Sequence, residues 1–547
     1  MASVEKLEDG PQTPGKPGKG VDLDQILEEE LGQMGRYQIV TLLLAALPIM
    51  FSAFASGEYI FTTARIPTRC VIPECDGTTP EFSPIWKPNA IPRTESGFDN
   101  CNRYSNSSEN HGGNTCPAWL FDRSRTEACE EFVYEHTNSV VYDFDMACDE
   151  WRRSQIGSIR TIGTLLVLPI TGYISDRWGR RVALTINAFN TGWIGLVRSF
   201  VNSYEWFLTL EVLESTFGAG CYSSCYILVT ELVGPKYRVV AGATISTLFA
   251  LGQVALGFIA WGIRPWRTLT QVLYAPQLLV VCYFWILSES VRWLMSKGRY
   301  EESEQILKKV AKMNRKELSQ KSLEALKASG EAEKNTIKPK EPWLPILVIK
   351  SKTILSRCLV SPVWWITNTL VYYGMNINAV NLVGNSYLNY VAVAAVEIPG
   401  YWTAILLLDR IGRKPVLICG YWLCAACQFI FAFMPEGYDG LSMAVYLIGK
   451  YCIAIVMTSV YVYTAELYPT KYRHNLFAFS SMIGRLGSIT APLTPSLATE
   501  VWAPFPSVLF GSAALLSGAL IFTTPETLGT KLPDTIEDAE QLKNNRK

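Results

Sequence analysis

Three ionisable residues lie deep in apolar stretches of the second half of the chain: Glu397, Lys450 and Arg485. A charge placed in hydrocarbon is costly, so such residues read first as binding or coupling groups. A carboxylate attracts ammonium groups, and a guanidinium can grip a carboxylate at two points. The other reading is a mutual Glu397–Arg485 salt bridge that only holds helices together. In the first half, Arg160, Glu211 and Glu214 lie in similar stretches. At about 1.5 Å per helical residue, Arg160 and Glu214 reach similar depths, which predicts a pair between two helices. Alternatively, Glu211 and Glu214 form an acidic vestibule. No nucleophile–base pair is visible, and 3 His with no Cys/His cluster of zinc spacing argue against a metal site. Gly218-Ala219-Gly220 reads as helix packing, not as a phosphate loop. The chain is therefore not expected to be an enzyme or to hold a cofactor.

A second set of charges recurs. Asp176-Arg177-Trp178-Gly179-Arg180-Arg181 returns as Asp409-Arg410-Ile411-Gly412-Arg413-Lys414, about 235 residues later. Glu231 with Lys236 and Arg238 returns as Glu466 with Lys471 and Arg473 at nearly the same offset. Ser288-Glu289-Ser290, followed by Arg292, returns as Pro525-Glu526-Thr527. Three patterns in one order imply a duplicated unit. Setting membrane orientation needs basic residues, but no Asp, no Gly and no fixed spacing. Asp176, Arg177, Arg180, Arg181, Glu231, Arg238, Glu289, Arg292, Asp409, Arg410, Arg413, Glu466 and Arg473 are thus expected to bridge helix ends within and between the two units as a gate. Exposed pairs are worth about 0–1 kcal/mol singly, yet a network can bias an equilibrium of a few kcal/mol.

These charges sit among long apolar runs. Of 547 residues, 49% are hydrophobic and 18% charged, against about 25% charged in ordinary soluble domains. That balance excludes a disordered chain. A net charge of zero gives no reason to expect nucleic acid. About 20 apolar residues cross a bilayer as a helix. Twelve stretches qualify, near 37–56, 155–174, 182–201, 206–229, 240–262, 268–287, 359–378, 388–408, 415–434, 441–464, 475–498 and 505–524. The expected fold is an all-α membrane protein with twelve transmembrane helices in two six-helix pseudo-repeats. The expected divisions are a tail at 1–36, a first bundle at 37–294, a linker at 295–358, a second bundle at 359–524 and a tail at 525–547.

Basic residues mark the cytoplasmic side. They cluster after the second, fourth, eighth and tenth stretches and in the Lys-rich linker, so both termini are expected inside. Arg264 and Arg267 are a minor exception. The segment 57–153 then lies outside. It holds Cys70, Cys75, Cys101, Cys116, Cys129 and Cys148, an even set that reads as three disulfides of unassigned pairing. It also holds the sequon Asn106-Ser107-Ser108, an expected glycosylation site. The linker reads as short amphipathic helices on the inner surface.

Gly172-Tyr173-Ile174-Ser175-Asp176-Arg177-Trp178-Gly179-Arg180-Arg181 resembles the signature of the major facilitator superfamily. The Cys-rich outer loop, Ser288-Glu289-Ser290-Val291-Arg292-Trp293-Leu294 and Ala465-Glu466-Leu467-Tyr468-Pro469-Thr470 are similar to solute carrier family 22, the polyspecific organic cation, zwitterion and anion transporters. The resemblance covers about residues 35 to 540. The loop opening, Phe61 to Cys70, resembles the insect organic cation transporter proteins.

The resemblance implies a major facilitator fold and site residues. Glu397, in Val396-Glu397-Ile398-Pro399, resembles the acidic position of the cation transporters. Phe249, Trp365, Tyr372 and Tyr387 match aromatic positions lining the family's cavity, and Tyr222 stands where a cavity aromatic is usual. Aromatic faces suit onium groups by cation–π contact, about 0.5–2 kcal/mol each. Arg485 departs from the cation branch, which carries an Asp there. Gly484-Arg485-Leu486-Gly487 and Val460-Tyr461-Val462-Tyr463 resemble the zwitterion and anion branches. Tyr401 stands where the anion branch has a Lys. The implied activity is plasma-membrane transport of small organic cations or carnitine-like zwitterions by alternating access, with lipid as surroundings and a co-ion or exchange partner for a neutral substrate. The alternative is an organic anion exchanger using Lys450 and Arg485.

Overall fold

In hydrocarbon, each backbone N–H and C=O must pair within its own segment, and the apolar runs accordingly form helices. The computed structural model describes residues 23–94, 97–107, 116–335, 344–435, 437–470, 472–530, 533 and 536–541. Twelve helical spans follow in order among the described residues. They are α1 (Arg36–Thr62), α2 (Glu150–Trp178), α3 (Arg180–Arg198), α4 (Tyr204–Phe217 and Cys221–Leu232), α5 (Arg238–Gly262), α6 (Trp266–Ile286), α7 (Lys352–Asn378), α8 (Ser386–Ile411), α9 (Arg413–Ala432), α10 (Asp439–Leu467), α11 (Arg473–Thr490 and Thr494–Glu500) and α12 (Phe505–Ile521). Seven of them, α1, α2, α5, α6, α8, α9 and α10, are both long and apolar enough to cross a membrane unaided. The other five are interrupted, shorter or more polar. α4 breaks at Gly218-Ala219-Gly220, and α7 carries Asn368, Asn376 and Asn378 on its way through the bundle. The twelve expected stretches are all helical, although α7 begins at Lys352, ahead of the hydropathy boundary at 359.

One face of the bundle carries the α1–α2 loop; the opposite face carries the α6–α7 linker. Among the described residues the loop folds as a small unit with three two-stranded antiparallel sheets, an addition to the all-helical expectation. Thr68–Cys70 pairs with Phe132–Tyr134, Arg93–Thr94 with Gly97–Phe98, and Asn102–Asn106 with Phe121–Ala128. Disulfides join Cys70 to Cys129, Cys75 to Cys116 and Cys101 to Cys148. Ile72, Trp86, Ile91, Leu120 and Phe121 pack around the first two bridges. Arg69 is buried against Asp76 at 2.7 Å. Asn106 is exposed at a strand end and donates to Glu74; Ser108 of its sequon lies outside the described residues.

On the linker face, helices Val291–Ser296, Tyr300–Asn314 and Gln320–Asn335 run beneath the first six spans. Leu23, Ile26, Leu27 and Leu31 of the preceding tail are buried in the same layer. Asn314 Oδ1 accepts the N–H of Tyr37 at 2.9 Å and so ties this layer to the start of α1.

The duplication read from the charges is a duplication in space. α3 and α9 each start after a glycine in the left-handed region, Gly179 (φ 112°) and Gly412 (φ 111°). Glu289 accepts the N–H groups of Arg180 (2.8 Å) and Arg181 (3.1 Å), just as Glu526 accepts those of Arg413 (3.0 Å) and Lys414 (2.9 Å). Each carboxylate thus satisfies donors that a helix start leaves open and sits at the positive end of its dipole.

Candidate functional site

The two halves meet mainly at their loop-face ends. Ser154 of α2 and Ser496 of α11 bring their hydroxyls to 2.5 Å, and Ser496 also donates to the carbonyl of Glu150. Gly157 lies against Pro492 and Tyr59. Phe61 stacks on Tyr387 with ring centres 5.5 Å apart and meets Tyr390 edge-on. Deeper in, Trp402 of α8 donates to Thr247 of α5 at 3.1 Å. Tyr387 is thus part of the seam that shuts the loop face.

Behind that seam, α7, α8 and α10 converge on Glu397. Its Oε2 accepts the hydroxyls of Tyr372 (2.6 Å) and Tyr401 (2.8 Å), and its Oε1 takes Asn376 Nδ2 (3.2 Å). Lys450 Nζ lies 2.9 Å from Oε1, donates to the Tyr372 carbonyl at 2.9 Å, and stands 3.6 Å from the centre of the Tyr372 ring. Both charged side chains are 0% exposed. The partner of Glu397 is therefore Lys450. The Glu397–Arg485 salt bridge read as an alternative does not form, because the helix position of Lys450 delivers its ammonium to the same carboxylate first.

Arg485 is half-buried on α11, and among the described residues it has no carboxylate within ion-pair distance. It lies within electrostatic reach of Tyr461. Tyr461 belongs to an aromatic cluster with Trp365 (4.8 Å) and Phe477 (5.9 Å), and Trp365 is fixed by donating to Thr464 at 3.0 Å. Across the centre, Tyr222 and Phe249 of the first half meet edge-on at 5.3 Å. Tyr222 is within electrostatic reach of Tyr373, Tyr401 and Tyr461 from the second half. Two aromatic walls, one from each half, thus face each other near Arg485 and the Glu397–Lys450 pair.

In the first half, Arg160 reaches Glu214 at 2.8 Å and also Glu211. The predicted Arg160–Glu214 pair is present, within a larger cluster. Arg198 contacts Glu58 (2.8 Å), Glu211 (2.6 Å) and Glu214 (2.7 Å). Glu211 and Glu214 are almost wholly buried, so they do not form an open vestibule: two guanidiniums occupy the space a cation would need. Sequence reasoning missed Glu58 and Arg198. Both sit at the edges of their apolar stretches, where a charge reads as a flank.

The proposed gate residues close on one another inside each half. Arg180 bridges Asp176 (2.9 Å) and Glu231 (3.3 Å); Arg413 bridges Asp409 (3.2 Å) and Glu466 (3.1 Å). Ser290 donates to Glu231 as Thr527 does to Glu466. Arg181 donates to the Leu287 carbonyl and lies over Phe284. Arg238 and Arg292 both pair with Asp24 of the tail. Arg473 donates to Thr470. Arg177 and Arg410 stand beside the capped turns at the ends of α2 and α8. Apart from the Asp24 pairs, which tie the tail to the first half, these bonds lie within a half.

The family model described as sugar (and other) transporter matches residues 118–538. An organic cation transporter protein of Drosophila melanogaster is 30% identical, over 94% of this chain and 93% of its own. Solute carrier family 22 member 21 of Mus musculus is 30% identical, over 94% of this chain and 92% of its own. Among solved structures, the inward-open xylose transporter XylE from E. coli aligns with a TM-score of 0.61 at 17% identity, over 92% of this chain and 100% of that one. That last likeness concerns the fold.

Proposed function

Because the chain belongs to the sugar (and other) transporter family of the major facilitator superfamily, and within it to solute carrier family 22, whose members are transporters and not enzymes, we propose that it carries small organic ions bearing a carboxylate, foremost ammonium–carboxylate zwitterions of the carnitine kind. The relatives named for organic cations support the broad class, a carrier of organic cations or anions. The observation that carries the finer reading is the unequal state of the two deep charges. Glu397 is already neutralised by Lys450, while Arg485 is without a carboxylate partner among the described residues. A substrate carboxylate completes Arg485 as a bidentate partner. Its ammonium end then lies among Trp365, Tyr372, Tyr461, Tyr222 and Phe249 and competes with Lys450 for Glu397.

Transport proceeds by alternating access: the halves rock about the central site, the Ser154–Ser496 seam opens to admit substrate, and the Asp176 and Asp409 networks, already formed within each half while the loop face is shut, keep the helix ends of each half together as it moves. We place the protein in the plasma membrane with both termini inside and Asn106 glycosylated outside. A membrane potential moves one charge with ~2.3 kcal/mol per 100 mV, so a monocation accumulates by itself, whereas a zwitterion needs a coupled ion or an exchange partner.

Anion exchange is the second reading, favoured by the same count, since Glu397, Lys450 and Arg485 together leave one positive charge. The test is uptake of tetraethylammonium, carnitine and p-aminohippurate into vesicles at clamped voltage. Carnitine uptake that is lost in Arg485→Asp and in Glu397→Gln supports the zwitterion reading. Uptake of p-aminohippurate that is indifferent to Glu397→Gln supports the anion reading. Tetraethylammonium uptake indifferent to both substitutions overturns the role given to this pair of sites.

A further inference from the structure

Five charged side chains meet behind the loop-face seam of the first half, and their charges do not cancel. Glu58 comes from α1, Arg160 from α2, Arg198 from α3, and Glu211 and Glu214 from α4. α6 adds Thr270, which donates to Glu58 at 2.6 Å, and Tyr274, which donates to Glu214 at 3.1 Å. Tyr59 of α1 borders the cluster and faces Tyr373 of α7. Three carboxylates face two guanidiniums, and among the described residues no third Lys, Arg or His forms an ion pair with them. All five charged side chains are at most 8% exposed. A lone uncompensated charge at such a place is strongly disfavoured, and the group neutralises instead.

A second observation locates the deficit. Glu211 Oε1 lies 2.6 Å from Arg198 Nη1, yet it is buried and receives no directed hydrogen bond. Glu58 lies near enough to Glu211 for the two carboxylates to repel each other. Arg198 Nε is buried and unpaired in the same cluster, so what the cluster lacks is positive charge and not a donor, and one hydrogen on a carboxyl brings it to balance.

We propose that the cluster binds one exchangeable proton on Glu58, and that its uptake favours the arrangement with the loop face shut. The proton comes from water on the loop side and forms an O–H bond on a carboxylate. The cluster passes from one net negative charge to none, and nothing is oxidised. The link to closure is spatial. Arg160 also donates to the Ala55 carbonyl of α1. One turn before it on α2, Gly157 packs on Pro492 and Tyr59, and Ser154 meets Ser496. Opening that seam admits water beside Arg160, and hydration then stabilises the third carboxylate without a proton. Protonation and closure are thus linked, and each must favour the other by the same factor.

The test uses the full-length protein in lipid nanodiscs and needs no transport substrate. Thermal unfolding is followed between about pH 5 and about pH 8 for wild type, Glu211→Gln and Glu58→Gln. In parallel, a Ser154→Cys thiol is labelled with a hydrophilic maleimide in the same three backgrounds. The wild-type Tm is expected to fall across this range, because a proton held by the folded cluster is released by the unfolded chain. Each Gln variant removes one carboxylate and balances the charges, so its profile is expected to be flatter, with a Tm at the alkaline end no lower than wild type. Labelling is expected to rise with pH more steeply in wild type than in Glu211→Gln, which shares the same thiol chemistry. Parallel melting profiles, or both Gln variants melting below wild type at the alkaline end, would overturn the proton site. Parallel labelling profiles would overturn its link to closure.

Discussion

Lys450 holds its ammonium 2.9 Å from Glu397 and 3.6 Å above the ring of Tyr372, so the acid and the aromatic face that suit an onium substrate are already occupied by a cation of the chain itself. The arrangement is a buried ion pair completed by Tyr372, Tyr401 and Asn376. Removing one partner of such a pair costs about 3–5 kcal/mol, because the other charge is left uncompensated, whereas removing both is far milder. Lys450→Met and Glu397→Gln should each lower the melting temperature sharply, and the double variant should recover most of the loss. Thermal unfolding of the three purified variants gives the coupling. Losses that simply add would show that the two side chains do not act as a pair.

Arg485 is where charge reversal should change selectivity without harming the fold. It is half-buried and has no carboxylate to lose among the described residues. Arg485→Asp is expected to leave the folding stability within about 0.5 kcal/mol of wild type, as for substitutions away from packed features. It should abolish carnitine and p-aminohippurate uptake and raise tetraethylammonium uptake. Retained carnitine uptake would remove Arg485 from the site.

The fold was legible in the sequence because membrane helices announce themselves by length and hydropathy and because the duplicated charges sit at equivalent helix ends. Glu289 and Glu526 show why the repeat persists: each caps the helix that follows its unit's glycine turn. What the sequence hid was partnership. Glu397, Lys450 and Arg485 could be placed by depth, but depth carries no azimuth, so the choice of Lys450 over Arg485 as the partner of Glu397 needed helix packing. Glu58 and Arg198 escaped because charges at the ends of apolar stretches are ordinary, and only the packing of the helices brings them together with Glu211 and Glu214. The disulfide pairing was equally hidden, since spacing alone does not order six cysteines.

The paired glycines should respond alike. Gly179 and Gly412 have φ near 112° and 111°, where a side chain is strained, and a Cβ at either would press on the carboxylate of Glu289 or Glu526. Backbone strain of this kind costs about 1–3 kcal/mol. Gly179→Ala and Gly412→Ala are each expected to lower stability by that order and to reduce uptake to a similar degree. A loss confined to one half would mean that the two turns are alike in shape but not in role, and measured melting temperatures alongside uptake would separate strain from gating.

Gly157 offers a way to hold the loop face open. It sits on α2 where the halves touch, and a Cβ built there falls 2.7 Å from Pro492 Cβ of α11 and 2.8 Å from Tyr59. Proline and the backbone behind it cannot yield as a flexible side chain could, so Gly157→Val opposes the approach of α2 and α11 itself. In the open arrangement the valine is clear of Pro492, and only the Tyr59 ring of its own half must shift, as it must in either arrangement. The substitution therefore penalises chiefly the shut state of the cycle, and a ligand-free equilibrium between two states shifts by the difference in their energies. Uptake of carnitine into vesicles should be lost, while binding from the loop side and the melting temperature should be retained. A Ser154→Cys thiol in the same chain should react with a hydrophilic maleimide faster than without the valine, since Ser154 is held against Ser496 only when the seam is shut. Unchanged labelling with lost uptake would place the defect in substrate handling, and would mean that contact between Gly157 and Pro492 is not what closes this face.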